Sequence, residues 1–432
     1  MRKKTLAYPF FFVLLHLEMI HPDTIQRIKE AAHIEEVVSR FLSLRKRGTN
    51  YVACCPFHQE KTGSFNVNPA RNIYKCFGCG KSGDSISFLM EHDHKTYPEA
   101  LRYLADMYGI EVEEEEVSDE VRARQHQRDS LLKCTSFAQQ CFAEHIADAE
   151  AYLRSHGVTD EIVRTFGLGC KSADNFADYA RSQGYDPEVI ASTGLADADQ
   201  HDLLPSGLIF PIHSKDGHPI SFVAKQLQPP SQPGIKTWTF LPPSPIFDYG
   251  RALFGFFQAK KHIGQRDKCY LVSNLEVVLS MHQAGIANTV APCSAILTAD
   301  QIKDIRRFTH NITLVCGHQV AQRFDASALF AAGMHLRLVV FPQGETPDTY
   351  AQAHGATALQ TFLDDNEQNF ILYRTDSLIA QRLDLDSTVA PIGQLLAQLA
   401  DTLERDAYIP LLAERLGISE QHLRQRLRQS GL

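Results

Sequence analysis

Two pairs of residues in the first quarter of the chain have the types and spacing to hold a metal. Cys55-Pro-Phe-His58 and Cys76-Phe-Gly-Cys79 each set two ligands two residues apart, with seventeen residues between the pairs. Zn²⁺ takes four soft or borderline ligands in a tetrahedron, and two tight turns presenting two ligands each supply one. Gly78 and Gly80 suit the bends around the second pair. Cys54 competes for the first pair, but Cys55 has the better spacing to His58. Four protein ligands leave no open position, so the site is structural and the metal should fold the module around it. Unconnected thiols beside a surface histidine would not need both spacings at once.

The elements that must carry these ligands are short. Residues 50–90 hold aromatic and β-branched runs broken by Gly, Pro and Asn, which reads as a small β-rich module. Residues 23–43 before it and 96–108 after it carry apolar positions at helical spacing. Between Ser43 and Asp84 there are seven Lys or Arg against Glu60 and Asp84 alone, with Tyr51, Phe57, Phe65, Tyr74 and Phe77 interleaved. Cations that track a backbone and aromatic faces that stack on bases suit single-stranded nucleic acid. Lys61, Arg71, Lys75 and Lys81 are the candidate contacts, whereas Phe65 and Phe77 read better as core.

The rest of the chain is an ordinary globular sequence. It has 432 residues, 44% of them hydrophobic, and 43 basic against 51 acidic side chains, a formal charge of −8. That excludes a uniformly basic coat for nucleic acid but not a local basic face. The six other cysteines stand singly, as free thiols in a reducing compartment do, so the expected location is cytoplasmic and no membrane partner is implied. Residues 1–18 are basic and then apolar, too short to span a bilayer and interrupted by Pro9, so translation is expected to start at Met19. Seven acids within residues 111–120 mark a solvated linker. From 151 onward strand-like runs (Leu208–Ile212, Cys269–Val272, Thr289–Ala291, Ile312–Val315, Leu336–Phe341) alternate with helical stretches, which argues a mainly parallel α/β sheet. The last 45 residues read as helices.

These residues resemble a known family. Cys55-Pro-Phe-His58-Gln-Glu-Lys-Thr-Gly-Ser-Phe65, Tyr74-Lys-Cys-Phe-Gly-Cys-Gly80 and Tyr97-Pro-Glu-Ala-Leu101 are similar to the zinc-binding domain of bacterial DNA primases. The likeness continues more thinly through Phe166-Gly-Leu-Gly169, Phe210-Pro-Ile212, Ser244-Pro-Ile-Phe247, Leu253-Phe-Gly255 and Phe341-Pro-Gln-Gly344. It implies an α+β multidomain protein: an N-terminal zinc-ribbon β module with flanking helices, an α/β TOPRIM-like primase core and a C-terminal helical segment. The expected domains are a mis-start extension or tail (1–18), the zinc-binding domain (19–110), an acidic linker and connecting helix (111–150), the N-terminal part of the core (151–262), a TOPRIM-like subdomain (263–355) and a helical subdomain (356–432). The family joins ribonucleotides into short RNA primers on single-stranded DNA, with Mg²⁺ held by carboxylates at strand ends.

At those strand ends the sequence departs from the family. Ser273-Asn274 stands where the family has Glu-Gly, Cys316-Gly317-His318 where it has Asp-Gly-Asp, and Thr346-Pro347-Asp348 keeps only the second acid of Asp-Pro-Asp. Ser294-Ala295 replaces Gly-Thr, and Gly207, Lys225 and Tyr249 fall at basic positions of the family, only the second remaining a cation. Hard Mg²⁺ prefers carboxylate oxygen, and Glu276, Asp325, Glu345 and Asp348 are the acids left nearby. Cys293, Cys316 and His318 could instead form a substitute site for a softer metal, or be no more than half-buried small residues. Three functions follow: a zinc-dependent protein that binds single-stranded DNA with a degenerate polymerase site; an active DNA-directed RNA polymerase with a rearranged acid set, needing Mg²⁺; or a regulator that pairs with a true primase or other replication proteins. The first is the reading favoured by the lost acids. Only 84 residues follow Asp348, so contact with the replicative helicase through the family's C-terminal domain is expected to be absent.

Overall fold

The computed structural model describes residues 20–429 apart from 59, 61–62, 94, 114–118, 173, 228–236, 295 and 383. The expectation for residues 1–18 lies outside them. The chain divides into two compact units, one ending at Gln125 and one starting at His126.

In the first unit five short strands pair antiparallel in chain order: β1 (Arg45–Arg47), β2 (Asn50–Ala53), β3 (Phe65–Asn68), β4 (Ile73–Cys76) and β5 (Ser82–Gly83). Their side chains alternate between faces. Phe65, Val67, Tyr74 and Cys76 turn inward, and the Phe65 ring stacks on Tyr74 at 5.0 Å with Phe88 edge-on to Tyr74. The helical stretch read over 23–43 is two helices, Pro22–Ala31 and Ile34–Ser39. Apolar periodicity runs through the break, but Ala32 is extended, and the Asn72 amide fills the gap by accepting from the Ile34 N–H and donating to the Ala32 carbonyl.

The second unit holds two sheets. β6 (Gly169–Lys171), β7 (Gly207–His213), β8 (Pro219–Lys225) and β9 (Trp238–Phe240) form an antiparallel sheet in chain order. β10 (Leu253–Phe254), β11 (Cys269–Leu271), β12 (Thr289–Pro292), β13 (Asn311–Gly317), β14 (His335–Phe341) and β15 (Gln368–Asn369) form the other, ordered β10-β12-β11-β13-β14-β15. Only β11 to β14 are parallel; the two edges run antiparallel. The expected parallel sheet is thus confined to 269–341, and Leu208–Ile212 belongs to the antiparallel one. A fully apolar run reads alike in both settings, because each is buried on both faces.

Strand alternation divides the six-stranded sheet between two cores. Cys269, Leu271, Ile312, Leu314 and Cys316 face helices Phe256–Arg266 and Ala299–Arg306 and the C-terminal helices. Tyr270, Val272, Val315 and Phe341 face helix Leu275–Gln283 and the inner side of β7 and β8. No described helix is long and apolar enough to cross a membrane.

Two histidines are enclosed in this unit. Burial holds both His213 and His282 down to about 4, below an ordinary histidine value of about 6.5. Both rings stay neutral in the fold and protonate first in the unfolded chain. Their stabilisation is therefore present above about pH 6.5 and lost as the pH falls toward 4. Acidification from pH 7.5 to 5 should cost about 2 kcal/mol per histidine. Denaturant melts of wild type and His213→Gln across that range check this. The variant should lose about 2 kcal/mol less than wild type on acidification, a difference that cancels acid effects common to both.

Candidate metal centre and nucleic-acid interface

The four predicted ligands converge. Cys55, His58, Cys76 and Cys79 bring their ligand atoms within 4.8 Å of one another, the first pair from the turn after β2 and the second from the turn after β4. Cys55 Sγ and Cys79 Sγ lie 3.8 Å apart. Two Zn–S bonds of about 2.3 Å at the tetrahedral angle separate sulfurs by about that distance. His58 turns Nδ1 toward Cys76 Sγ at 3.8 Å, so Nδ1 is the ligand atom. Cys54 is exposed and outside the group. Burial disfavours the Cys76 thiolate, but the Ser64 hydroxyl group 3.1 Å away and hydrogen bonds from the Cys79 and Gly78 N–H groups outweigh it and bring the thiol down to about 6. A Cβ on Gly78 would stand 2.6 Å from His58 Nε2, so the second turn requires glycine there.

Glu60, which sequence reading did not assign, completes the centre. Its Oε2 lies 3.3 Å from His58 Nε2, and its Oε1 accepts from the Cys55 N–H at 2.6 Å. Ser64, donating from Oγ and N–H, and then Cys55 hold its carboxyl down to about 2. A carboxylate behind a ligating histidine fixes the ring and its tautomer. A glutamate two residues after the ligand histidine was the available signal. Glu60→Gln should weaken zinc retention by about 10- to 100-fold, measured by metal release to a chromogenic chelator, with the helical circular dichroism of the second unit unchanged.

Strand register sorts the candidate DNA contacts. Arg45, Val52, Asn66, Lys75 and Ser82 lie in one cross-strand row, and Arg47–Asn50 and Asn68–Ile73 flank it on the same outward face. Lys75 lies on this face beside Phe77, its ammonium 5.6 Å from the ring and, among the described residues, without a carboxylate partner. Phe77 is 71% exposed, which corrects its reading as core: it continues the outward series Ile73, Lys75, while Tyr74 and Cys76 turn in. Arg71 is exposed at the short turn Pro69–Arg71. Lys81 is engaged, with its ammonium 2.7 Å from Glu91 and over the Phe57 ring. Lys61 lies outside the described residues. Arg45 and Arg47 were legible only as charge; their shared face comes from the register.

A cleft of about 450 Å³ opens between the antiparallel sheet and helix Leu275–Gln283, lined by Tyr152, His156, Phe210, Glu276, Gln283 and Asp348. Lys225 at the end of β8 donates to both Glu276 oxygens, at 2.6 and 2.7 Å, and to the Tyr152 hydroxyl, which itself donates to Glu276 at 2.5 Å. The Tyr152 and Trp238 rings flank the ammonium at 4.9 and 5.0 Å. Burial, then the Glu276 carboxylate, push the Tyr152 hydroxyl far up. Among the described residues, the solvent-shielded Oδ1 of Asp348 has no hydrogen-bond partner.

Asn274 caps the helix by accepting from the Glu276 N–H, and Asp325 is used in its own turn with Ser327. Tyr249 donates to the Leu241 carbonyl. A Cβ at Gly207 would fall 2.2 Å from the Lys225 carbonyl oxygen, so no larger side chain fits there. Among the described residues, three or more metal-binding groups converge only at the cysteine–histidine centre and at exposed Asp197, Asp199 and His201. Within this cleft the Glu276 carboxylate is held by Lys225.

Nor do Cys293, Cys316 and His318 assemble. β11 separates β12 from β13, Cys293 and Cys316 face opposite cores, and His318 is held by Tyr373 and Gln322 at 2.8 Å each. Lys225→Met should destabilise the second unit by about 2 kcal/mol through the unpaired Glu276. The double variant Lys225→Met/Glu276→Leu should recover most of that loss in denaturant melts.

Comparison with known proteins fits this layout. Residues 20–120 match the CHC2 zinc finger and residues 136–260 the N-terminal domain of the DNA primase catalytic core. The DNA primase of Clostridium acetobutylicum is 29% identical over 93% of this chain and 69% of its own length. That of Lactococcus lactis is 29% identical over 92% and 64%. The crystal structure of the zinc-binding and RNA polymerase domains of Aquifex aeolicus primase superposes with a TM-score of 0.59 at 25% identity, covering 93% of this chain and 98% of that one. The chain belongs to the bacterial DnaG primase family. Its Cys55, His58, Cys76 and Cys79 are the zinc ligands of the family's CHC2 finger, and it spans about two thirds of the length of these primases.

One expectation is overturned here. Residues 392–421 match the DnaB-helicase binding domain of primase, which indicates the helicase contact expected above to be absent. The match falls on helices Leu385–Ala397, Thr402–Leu416 and the start of Glu420–Gln429, within the segment expected above to be a helical subdomain. An amphipathic pattern shows that a helix packs, not what its other face meets, and this matched segment takes only thirty residues. Leu403, at 77% exposed, and Leu411, at 42%, leave apolar surface on Thr402–Leu416.

Proposed function

We propose that this protein is a DNA primase-type replication protein that holds single-stranded template on the outward face of its zinc module and works beside the replicative helicase, in the cytoplasm. The observation that carries the reading is one chain in which the zinc tetrad, the core and the helicase-binding segment follow in order. The zinc site locks the turns after β2 and β4, and so holds Arg45, Arg47, Lys75 and Phe77 on a stiff sheet. Cations there meet phosphates and the exposed ring offers a base a stacking face. Arg71, at the turn between β3 and β4, adds an exposed cation, while Lys81 serves the fold through Glu91.

Template-directed synthesis of RNA primers by the core is the activity that the relatives favour, since they are DNA primases over most of this chain. In that reading the triphosphate of an incoming ribonucleotide draws Lys225 off Glu276 and leaves Glu276 and Asp348 facing the cleft together. A second reading rests on the strand ends. Ser273, Cys316, His318 and Thr346 stand where the family has acids, and Glu276 is already neutralised. In that case the chain binds template and helicase, and a true primase makes the primer.

Zinc-loaded protein given single-stranded DNA, labelled ribonucleotides and Mg²⁺ or Mn²⁺ separates the two. Primers that vanish in Glu276→Gln support the first. Template binding without primers, at any metal, supports the second. Arg45→Ala/Lys75→Ala should weaken single-strand binding by about tenfold. Unchanged affinity would remove the zinc face from the reading.

A further inference from the structure

We propose that the outer surface of helices Phe256–Arg266 and Ala299–Arg306 is a second nucleic-acid site, one that binds the sugar–phosphate backbone. The two helices cover the same face of the six-stranded sheet, burying Phe256, Ala259, Ile263, Ile302 and Ile305 against it. Two links set them side by side. Lys260 donates to the Lys215 carbonyl while the Lys215 ammonium pairs with Asp304 at 2.6 Å. Phe308, just beyond the second helix, packs on Phe256 at 5.8 Å and against Gly264.

The charge on this surface is one-sided. Lys261 of the first helix and Lys303, Arg306 and Arg307 at the end of the second are exposed, and among the described residues no carboxylate lies within ion-pair distance of any of them. The two acids of the second helix are engaged elsewhere: Asp304 by Lys215, and Asp300 by Arg251 at 3.3 Å. Lys303 stands three residues from Arg306 and four from Arg307, spacings at which like charges repel on a helix face. A molecule carrying −8 overall has no general excess of cations to display, so this concentration is local.

Phe257 and Phe308, 38% and 37% exposed, lie among these cations, and Lys260 sits over the Phe257 ring. Cations without partners around partly exposed rings are the complement of a phosphate chain, and neutralisation by phosphate relieves the repulsion. The surface lies on the face of the sheet opposite the Lys225–Glu276 cleft and in a different unit from the zinc face. It is therefore independent of both readings of primer synthesis.

The test uses the full chain, zinc-loaded, with fluorescence anisotropy on a labelled DNA duplex and on one of its strands alone, over a range of salt. Lys261→Ala/Lys303→Ala/Arg306→Ala/Arg307→Ala removes four exposed charges and no packing. Its duplex affinity should fall by about tenfold or more, with the log–log salt slope shallower by about 3 to 4. Loss on the duplex alone identifies paired backbone as the ligand, and loss on both identifies backbone in general. Arg306→Lys/Arg307→Lys, which keeps the charge, should retain binding, and unchanged thermal unfolding establishes that the quadruple variant is folded. Arg45→Ala/Lys75→Ala measured beside it reports on the zinc face separately, so either site can fail alone. Wild-type affinity and slope on both DNAs in the quadruple variant would overturn the proposal.

Discussion

Tetrahedral coordination by four side chains is the constraint on which the N-terminal unit depends. Its five strands are two to four residues long, and β1 and β5 bury no side chain. Such a sheet buries too little apolar surface to offset chain entropy without help. The metal supplies that help at the two turns that carry the ligands, and its influence extends along the strands they terminate. Cys76 points inward because it ligates, and alternation then forces Lys75 and Phe77 outward. The basic face is thus a consequence of the metal geometry. Glu60 joins the two ends of the centre, binding the Cys55 N–H on one side and the His58 ring on the other.

The core obeys a different constraint, the neutralisation of half-buried charge. Lys225 and Glu276 come from elements on opposite sides of the cleft, and neither is stable there alone. Tyr152 and Trp238 complete the enclosure with a hydroxyl and two ring faces. The same pairing stiffens the joint and withdraws the nearest acid from the cleft. Fold alone does not assign the chemistry of such a cleft.

How legible each part was depended on how local its signal is. The ligand tetrad could be read because tight turns make spacing equivalent to geometry. Apolar alternation located β11 to β14 to within two residues at each end. Reading ended where contact is long-range. The break at Ala32 depends on Asn72, forty residues on, and an apolar run such as Leu208–Ile212 does not reveal whether its neighbours run parallel. Phe77 was assigned to the core from its type, whereas its place in the β4 alternation turns it to solvent. A shared site for Cys293 and Cys316 needs adjacent strand ends, and the order β12-β11-β13 separates them. The helices from 385 to 429 were visible as helices, but the helicase-binding segment within them emerged only by comparison with known proteins.

The sequence by itself determined the zinc ligands, the basic character of the module around them and the α+β class of the chain. Each of these is a property of residue type and short spacing. Tertiary structure decided which cations share a face, that Lys81 belongs to Glu91 and Lys225 to Glu276, and that, among the described residues, Lys261, Lys303, Arg306 and Arg307 have no carboxylate partner. Those outcomes depend on which distant side chains meet, and pairing across tens of residues leaves no periodic trace in the chain.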